Sequence, residues 1–575
     1  MKNILRKFKV WFIIGAVAIV SAASFSFVDD YFEVSKNLDI FTTLYREVNL
    51  YYVDQTNPGK MIKKGIDAML ESLDPYTNFI PESDIEDYRF MTTGQYGGIG
   101  ALIRLKGDYV VISEPYEGYP AHKAGLQAGD EILEIDGKSA KGKKTDEVSK
   151  ALKGQPKSTV KVLVKRQGEK NPLEKSIVRE EIKIKSVSYS GMLNDRTGYI
   201  RLTSFTESAG KEVRDAYTEL KEKNVSLKGI ILDLRENPGG LLNEAVNIAN
   251  VFVPKNQDIV STRGKNKDND RTYKSVNNPV DTEMPVAVLI NSRSASASEI
   301  VSGTIQDLDR GVLVGQRSFG KGLVQTTRPL SYNSQLKITT AKYYIPSGRC
   351  IQALDYTHRN EDGSVGKIPD SLVTAFKTKG GRTVYDGGGV TPDISLEPLM
   401  YSSIAGSLIS KNLIFDYVTQ YRLKHNEIPP VKNFNLTEED FNDFAAFISD
   451  KEYDYITKSE KTLEELKTTT ENEKYFDAVK TEYEALKTKM MHNKKEDIVK
   501  NKAELMELLK EEIVSRYYFQ VGRSEAAAGY DPEIRKAVEV LDNSSLYASV
   551  LNGTYKEEPK KYKEEPKKKE IPKSK

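Results

Sequence analysis

Cysteine and histidine are nearly missing from this chain of 575 residues, and their scarcity excludes a good deal of chemistry. The single cysteine, Cys350, rules out an intrachain disulfide and a multi-cysteine zinc site. The four histidines, His122, His358, His425 and His492, lie far apart and in no metal or catalytic spacing. Neither a metal site nor histidine-based catalysis is expected, and no cofactor is called for. Charge of one sign is lacking too: 85 basic against 83 acidic residues leave +2, which gives no bulk electrostatic reason to bind nucleic acid. Gly (39) and Pro (22) are near average usage, so the chain is neither collagen-like nor wholly disordered. What is present is 38% apolar residue, enough for several cores; at roughly 100–200 residues per domain the length implies about three to five units.

Only one long apolar run exists. Lys2, Arg6, Lys7 and Lys9 precede an uncharged stretch from Val10 to Val28, and Asp29 and Asp30 come directly after it. As a helix it would be about 28 Å long, close to the thickness of a bilayer core. Basic residues before and acidic residues after place the N-terminus inside and the remainder outside the membrane. Residues 1–28 read either as a cleaved signal peptide, with Ser21, Ala22 and Ala23 near a cut, or as an uncleaved anchor that keeps membrane contact. Either way the rest of the chain is expected to be extracytoplasmic, in the periplasm or cell envelope.

Patterning divides the remaining residues into regions. Residues 29–91 are helical, with Phe41, Leu44, Tyr45, Val48 and Tyr52 at spacings of three and four and a break at Asn57-Pro58-Gly59. Residues 92–180 change to short strands and glycine turns, a self-contained domain. Residues 181–398 alternate strand and helix: strands at 199–202, 229–234, 286–290 and 311–314, the later ones nearly continuous apolar runs, as when both faces are covered. The charged stretch 260–280 reads as an exposed loop or hairpin. Residues 399–553 are helical and highly charged, and 464–510 read either as long solvent-facing helices or as a helical pair, with apolar positions too irregular to assign heptads. From 554 to 575 a YKEEPKK repeat without apolar periodicity reads as a disordered tail.

Three strand ends carry candidate chemistry. Asn291 to Glu299 comes after one apolar strand and precedes a helical pattern; a serine on such a turn is exposed at the sheet edge and sits where helix N–H groups favour negative charge. The bland alternative is a helix cap at Ser296 or Ser298. A serine needs a base, and no histidine lies in these strand-end loops. Lys321, between Gly320 and Gly322 and beside Phe319, Leu323 and Val324, could serve if burial kept its amine neutral, with Gln325 orienting it. Gly315 to Lys321 mimics a phosphate loop, but Gly322 replaces the metal-ligating Ser or Thr and the next residues, LVQTTRPL, alternate like a strand, which argues against nucleotide binding. The third end, Asp233 to Leu242, offers bare backbone N–H groups at Gly239 and Gly240.

Taken together, LDPYT at 73–77, GGIGA at 97–101, AGLQAGDEILEIDG at 124–137, GYIRL at 198–202, LDLRENPGG at 232–240, SASASE at 294–299, FGKGLVQ at 319–325, YYIPSGR at 343–349 and GVTPD at 389–393 closely resemble the carboxyl-terminal processing proteases, or tail-specific proteases. The resemblance spans residues 40 to 395. It implies a multidomain α/β protein: a crotonase- and Clp-protease-like core with an inserted PDZ domain, N-terminal helices and a helical C-terminal region. It further implies a serine endopeptidase with nucleophile Ser296, base Lys321 and third catalytic residue Gln325, and an oxyanion hole from the N–H groups of Ala297, Gly239 and Gly240. Gly97, Gly98, Ile99 and Gly100 match a carboxylate-binding loop, so protein or peptide C-termini are the expected partners, with the PDZ domain recruiting them and gating activity. An adaptor protein and a homo-oligomer stay open. Tyr119 is larger than the residue expected at its place in the PDZ domain, and Cys350 stands where serine is expected. The rival is a PDZ-bearing binding scaffold with an inactive core, against which the joint presence of Ser296, Lys321 and Gln325 weighs.

Overall fold

The computed structural model describes residues 32–453, 455–490 and 494–556. The apolar run at 10–28 and nearly all of the repeat tail lie outside the described residues. Among the described residues no helix is long and apolar enough to cross a membrane. The chain divides into two compact units, residues 1–79 and 80–575. In the first, a helix over 32–51 is succeeded by another at Pro58–Glu71. The Asn-Pro-Gly break is therefore a helix start: Asn57 caps it by accepting the Lys60 N–H at 2.9 Å, and Pro58 takes the first turn, where no N–H is needed. Asp74 then closes a turn by accepting the N–H groups of Tyr76 and Thr77, both at 2.8 Å.

After a helix at Ile85–Thr93, the second unit forms a small antiparallel sheet in the order β1 (Ala101–Lys106), β2 (Tyr109–Pro115), β3 (Glu131–Ile135), β4 (Thr159–Lys165), β5 (Leu173–Val178). Alternate residues Val160, Val162 and Val164 face inward with Val110, Ile112 and Ile132, and helix α1 (Thr145–Leu152) closes the core with Val148 and Leu152. Strand β1 is an edge strand of this sheet.

The larger sheet runs β6 (Val187–Met192), β7 (Thr197–Leu202), β8 (Gly229–Asp233), β9 (Val286–Ile290), β10 (Val312–Gly315) and β13 (Ile394–Ser395), parallel except at the β6–β7 pair. The four strands expected from the apolar runs are β7 to β10. Their period of two sorts side chains onto two buried faces. Ile230, Leu232, Val286, Val288 and Ile290 face helices α2 (Ala209–Lys223), α3 (Leu242–Phe252) and α4 (Ala297–Asp307). Ile231, Ala287, Leu289, Val312 and Val314 face the opposite way. There the cover comes from the far C-terminus: Ile534, Ala537, Val540 and Leu541 of helix α7 (Pro532–Asp542), and Val550 beyond it. Strands β11 (Leu323–Pro329) and β12 (Gln335–Tyr344) form a long hairpin in a separate sheet. The charged stretch 260–280 is a hairpin, Asp258–Gly264 with Arg271–Lys274, and its first strand buries Ile259 and Val260 in the core.

The remaining helices have a core of their own, with Leu408, Val418 of α5 (Leu413–Lys424), Phe444, and Leu505 and Ile513 of α6 (Lys502–Ala528). The stretch 464–510 falls on four helices: Lys458–Asn472, which starts earlier than expected, Phe476–Met490, then Lys494–Lys500 and the start of α6. The small sheet rests on this helical body: Lys106 pairs with Asp416 at 2.7 Å, and the Arg104 guanidinium lies 3.6 Å over the Phe415 ring.

Candidate active site

Strand β9 ends at Ile290, and the chain turns sharply into α4. The two outer serines of the cluster are consumed by this turn. Ser294 Oγ donates to the Leu234 carbonyl at 2.8 Å, and Ser298 Oγ donates to the Asn237 carbonyl at 2.9 Å; both are fully buried. Ser296, between them, is only half-buried, and its backbone is left-handed at φ 56°, ψ −112°. A non-glycine residue held there carries strain of about 1–3 kcal/mol, which the surrounding bonds must offset. Ser296 is the helix N-cap, as the bland reading had it, but its capping partner runs the other way: its N–H donates to the Glu299 carboxylate at 2.8 Å.

Glu299 is the hub of the site. It is fully buried, and its two oxygens accept four donors: Oε1 takes the Ser318 hydroxyl at 2.5 Å and the Gly320 N–H at 2.7 Å, and Oε2 takes the N–H groups of Ser296 and of Lys321 at 2.8 and 2.9 Å. One carboxylate oxygen thus joins the backbone of Ser296 to the backbone of Lys321, 25 residues later in the chain. Burial pushes the carboxyl above its usual range, and the four donors oppose that push. Sequence reading missed Glu299, although the Ser-x-x-Glu spacing of a capping box is present at 296–299.

Lys321 is half-buried. The glycines beside it admit a neighbouring segment. A Cβ on Gly320 would lie 2.4 Å from Ala353 Cβ, and one on Gly322 would lie 2.8 Å from the Gln352 nitrogen. Gly322 also donates to Gln352 Oε1 at 2.7 Å. Cys350 packs here, its sulfur 3.2 Å from where that second Cβ would stand, and burial raises its thiol pKa. After Lys321 the chain continues as β11, so the helix a phosphate loop requires is not formed. Gln325 sits on β11 and donates its amide to Thr339 Oγ1 of β12 at 3.1 Å. The same strand β12 carries Tyr343, whose hydroxyl donates to the Ser296 carbonyl at 3.2 Å.

The glycine turn after β8 lies against the serine turn. A Cβ on Gly239 would fall 2.6 Å from the Ala295 oxygen, 2.8 Å from the Ala297 nitrogen and 3.0 Å from Ser296 Cβ. The Gly239 N–H is already engaged, donating to Asn237 Oδ1 at 2.9 Å. Among the described residues no protein acceptor takes the N–H of Gly240 or of Ala297. The structure therefore groups Ser296, Ala297, Gly239, Gly240 and Lys321 around one turn, while Gln325 stands further along β11 with its amide directed to β12.

In the small sheet, the segment Gly97, Gly98, Ile99, Gly100 leads into edge strand β1. A Cβ on Gly97 would lie 2.1 Å from the Gly154 oxygen, so only glycine fits. The carbonyls of Ile99 and Gly100 accept from Ala121 and Tyr116 at 2.7 and 2.9 Å; among the described residues their own N–H groups meet no protein acceptor. Tyr119 packs its Cβ 2.7 Å from where a Gly100 Cβ would be, and its hydroxyl donates to the Lys183 carbonyl at 2.7 Å, which accounts for its size. The described histidines serve elsewhere: His122 stacks edge-on to Phe519, His425 stacks on Tyr421, and His358 pairs with Asp355.

A parallel sheet with a strained serine at one strand end, a glycine turn at the next and a lysine turn at a third defines a PDZ-bearing α/β serine peptidase. Comparison with known proteins agrees. Residues 196–358 match the peptidase family S41, residues 111–166 match the PDZ domain, and residues 404–541 match the C-terminal helical domain of probable PDZ-proteases. A carboxy-terminal-processing protease of Bartonella bacilliformis is 38% identical over 324 residues, covering 56% of this chain and 74% of that one. A probable CtpA-like serine protease of Staphylococcus aureus is 36% identical over 55% of this chain and 62% of its own. Among solved structures, a photosystem II D1 C-terminal processing protease aligns at 29% identity over 62% of this chain and 92% of that chain, with a TM-score of 0.33. The chain belongs to the carboxy-terminal-processing protease family and is a serine-type endopeptidase.

Proposed function

We propose that Ser296 is the nucleophile and Lys321 the general base of this peptidase, that Gln325 helps orient the lysine amine, and that the substrates are protein C-termini brought in by the PDZ domain. The observation that carries the reading is the Glu299 clasp, which ties the two turns to a single buried carboxylate. A neutral Lys321 amine takes the Ser296 proton as Oγ attacks the scissile carbonyl. The oxyanion that forms is met by the N–H groups of Ala297 and Gly240, at the positive end of α4. Gly239 contributes by its missing side chain, which lets the two turns touch, while its N–H holds the turn's shape. The lysine ammonium protonates the leaving amine, an acyl-enzyme remains, and water deprotonated by the same lysine releases it.

The free N–H groups of Ile99 and Gly100, beside an edge strand and helix α1, support capture of a terminal carboxylate by strand addition. The basic start and apolar run at 10–28 support an extracytoplasmic site of action, with the segment either cleaved or retained as an anchor. An unfolded substrate assayed against pH tests the chemistry: cleavage is expected to rise with pH as the lysine amine loses its proton and to vanish in Ser296→Ala and Lys321→Ala. An acid optimum with activity kept in Lys321→Ala would overturn it. Amidating the substrate C-terminus is expected to raise KM and spare kcat; unchanged KM would remove the PDZ domain from recruitment.

A further inference from the structure

The C-terminal helices reach the active site from behind. Arg235 is the second residue past β8, at the root of the glycine turn. Its Nε and Nη2 clasp Asp233 at 2.9 and 2.6 Å, and its Nη1 takes two carboxylates from the start of α7, Asp531 at 2.8 Å and Glu533 at 2.6 Å. Asp531 is fixed as the N-cap of α7 by the N–H groups of Glu533 and Ile534 at 2.8 and 3.1 Å. Glu533 has a second hand: its other oxygen accepts the Gln316 amide. Gln316 is the first residue past β10, at the root of the segment that leads to Ser318, Gly320 and Lys321. The same Gln316 amide reaches the Leu396 carbonyl at 3.2 Å, beside β13.

Glu533 is 5% exposed and lies about 300 residues from Arg235 in sequence, yet it is bonded to the roots of both the oxyanion turn and the lysine turn. The segment just before it is equally committed. On α6, Gln520 donates to Glu114 of the PDZ domain at 2.7 Å, one residue past an interruption of the helix at Phe519, where φ is 52°. One stretch of chain therefore runs from the PDZ domain to the back of the catalytic turns.

We propose that Glu533 is a positioning residue for peptide hydrolysis, holding the oxyanion turn and the lysine turn at a fixed separation, so that the C-terminal helical region is a structural part of the active site. The inference rests on the proposed roles of Ser296, Lys321 and the glycine turn. Its physical basis is that a catalytic constellation is only as exact as the groups behind it: a misplacement of about 1 Å costs on the order of 100-fold in rate. Arg235 supplies one rigid fork and Gln316 one amide; only a carboxylate of this length can take both.

The two arms can be cut separately. Glu533→Gln keeps an oxygen for Gln316 and loses the ion pair with Arg235. Gln316→Leu loses the other arm and keeps the ion pair. Glu533→Ala loses both. Glu539→Gln, an exposed change on the same helix, is the control. In full-length protein, kcat and KM on an unfolded protein substrate, the rate of Ser296 labelling by a fluorophosphonate, and thermal unfolding are measured. Expected are a fall in kcat and in labelling of about 10-fold for Glu533→Gln and Gln316→Leu and of about 100-fold for Glu533→Ala, with KM within about 2-fold and the control at wild-type rates. Folded Glu533→Gln and Gln316→Leu proteins that both cut and label at wild-type rates would overturn the inference, as would a loss confined to KM. Should Glu533→Ala not fold, those two variants, which preserve volume, decide alone. Cleavage surviving in Ser296→Ala would instead bring down the underlying reading; loss there with wild-type rates in the Glu533 and Gln316 variants brings down only this one.

Discussion

Two of the sites where this molecule buries carboxylates handle them differently. At the serine and lysine turns Glu299 accepts four hydrogen bonds, leaving neither oxygen unpaired. Where the PDZ domain meets α6, Glu114 and Glu512 lie among Arg104, Arg516 and Arg523, and the bonding is incomplete. Among the described residues, Glu114 Oε1, Arg104 Nε and Arg516 Nε are buried without a hydrogen-bond partner. Arg523 stands 3.7 Å from Glu114, against 2.9 Å from Glu512. A fully bonded buried charge holds one geometry, because any shift forfeits several charge-assisted bonds at once. A partly bonded one pays desolvation without full return, so alternative arrangements are close in free energy. Glu299 has both oxygens fully engaged, whereas the cluster between the PDZ domain and α6 keeps the Gln520–Glu114 bond and the ion pairs of Glu512 but leaves other polar atoms unmatched.

The largest test of this contrast is to empty the hub. Glu299→Ala strands four donors, three of them backbone N–H groups; each buried unpaired donor costs about 1–3 kcal/mol, so unfolding should shift markedly downward and cleavage should be lost. Calorimetry and a cleavage assay check both, and a stable, active Glu299→Ala protein would erase the contrast. Next in size is Gly239→Ala. Its Cβ would meet the Ala295 oxygen and the Ala297 nitrogen at φ 96°, prising the two turns apart. A loss of about 100-fold or more in kcat is expected from a protein that still folds, read by active-site labelling beside circular dichroism.

The incompletely bonded cluster should answer to pH. Burial pushes the Glu114 carboxyl up to about 7, with Arg523 and Arg516 pulling against it and Glu512 adding to it. A carboxyl whose folded pKa is raised binds its proton more tightly in the folded state. Its contribution is fully present at acid pH and is lost as pH rises from the usual carboxylate range through about 7. Stability measured between those limits should fall by about 1–3 kcal/mol as pH rises, and Glu114→Gln should flatten the curve while leaving the acid plateau in place. A Glu114→Gln curve parallel to wild type would show that other groups carry the dependence. The smallest effect is expected from Asp416→Asn. Its pair with Lys106 is half-exposed, so urea unfolding should shift by about 1 kcal/mol or less and cleavage should not change.

Much of the fold and site is legible in the sequence. Apolar runs at 229–234, 286–290 and 311–314 announce buried parallel strands because both faces have to be apolar. The glycine turn, the serine cluster and the lysine between glycines stand at their ends, where an α/β sheet exposes functional groups. Glu299 escapes notice because a charged residue inside an apolar helical pattern reads as a solvated position; nothing local says that it will be enclosed by a loop 20 residues away. Asn237 is unremarkable for the same reason, though its side chain takes the Gly239 N–H and its carbonyl holds Ser298. The helices after residue 400 show amphipathic spacing and charge, which cannot say against what a helix packs.

Period, composition and turn chemistry are local properties, so the amino-acid order alone determined the strands, the helices, the turns that punctuate them and the residue types able to react. Which of three serines is strained and accessible, which glycine N–H groups stay unbonded, and that Glu533 touches the roots of both the glycine turn and the lysine turn were decided only by tertiary structure. Those facts depend on contacts between segments tens to hundreds of residues apart, and a buried charge acquires its meaning from whatever the fold places around it.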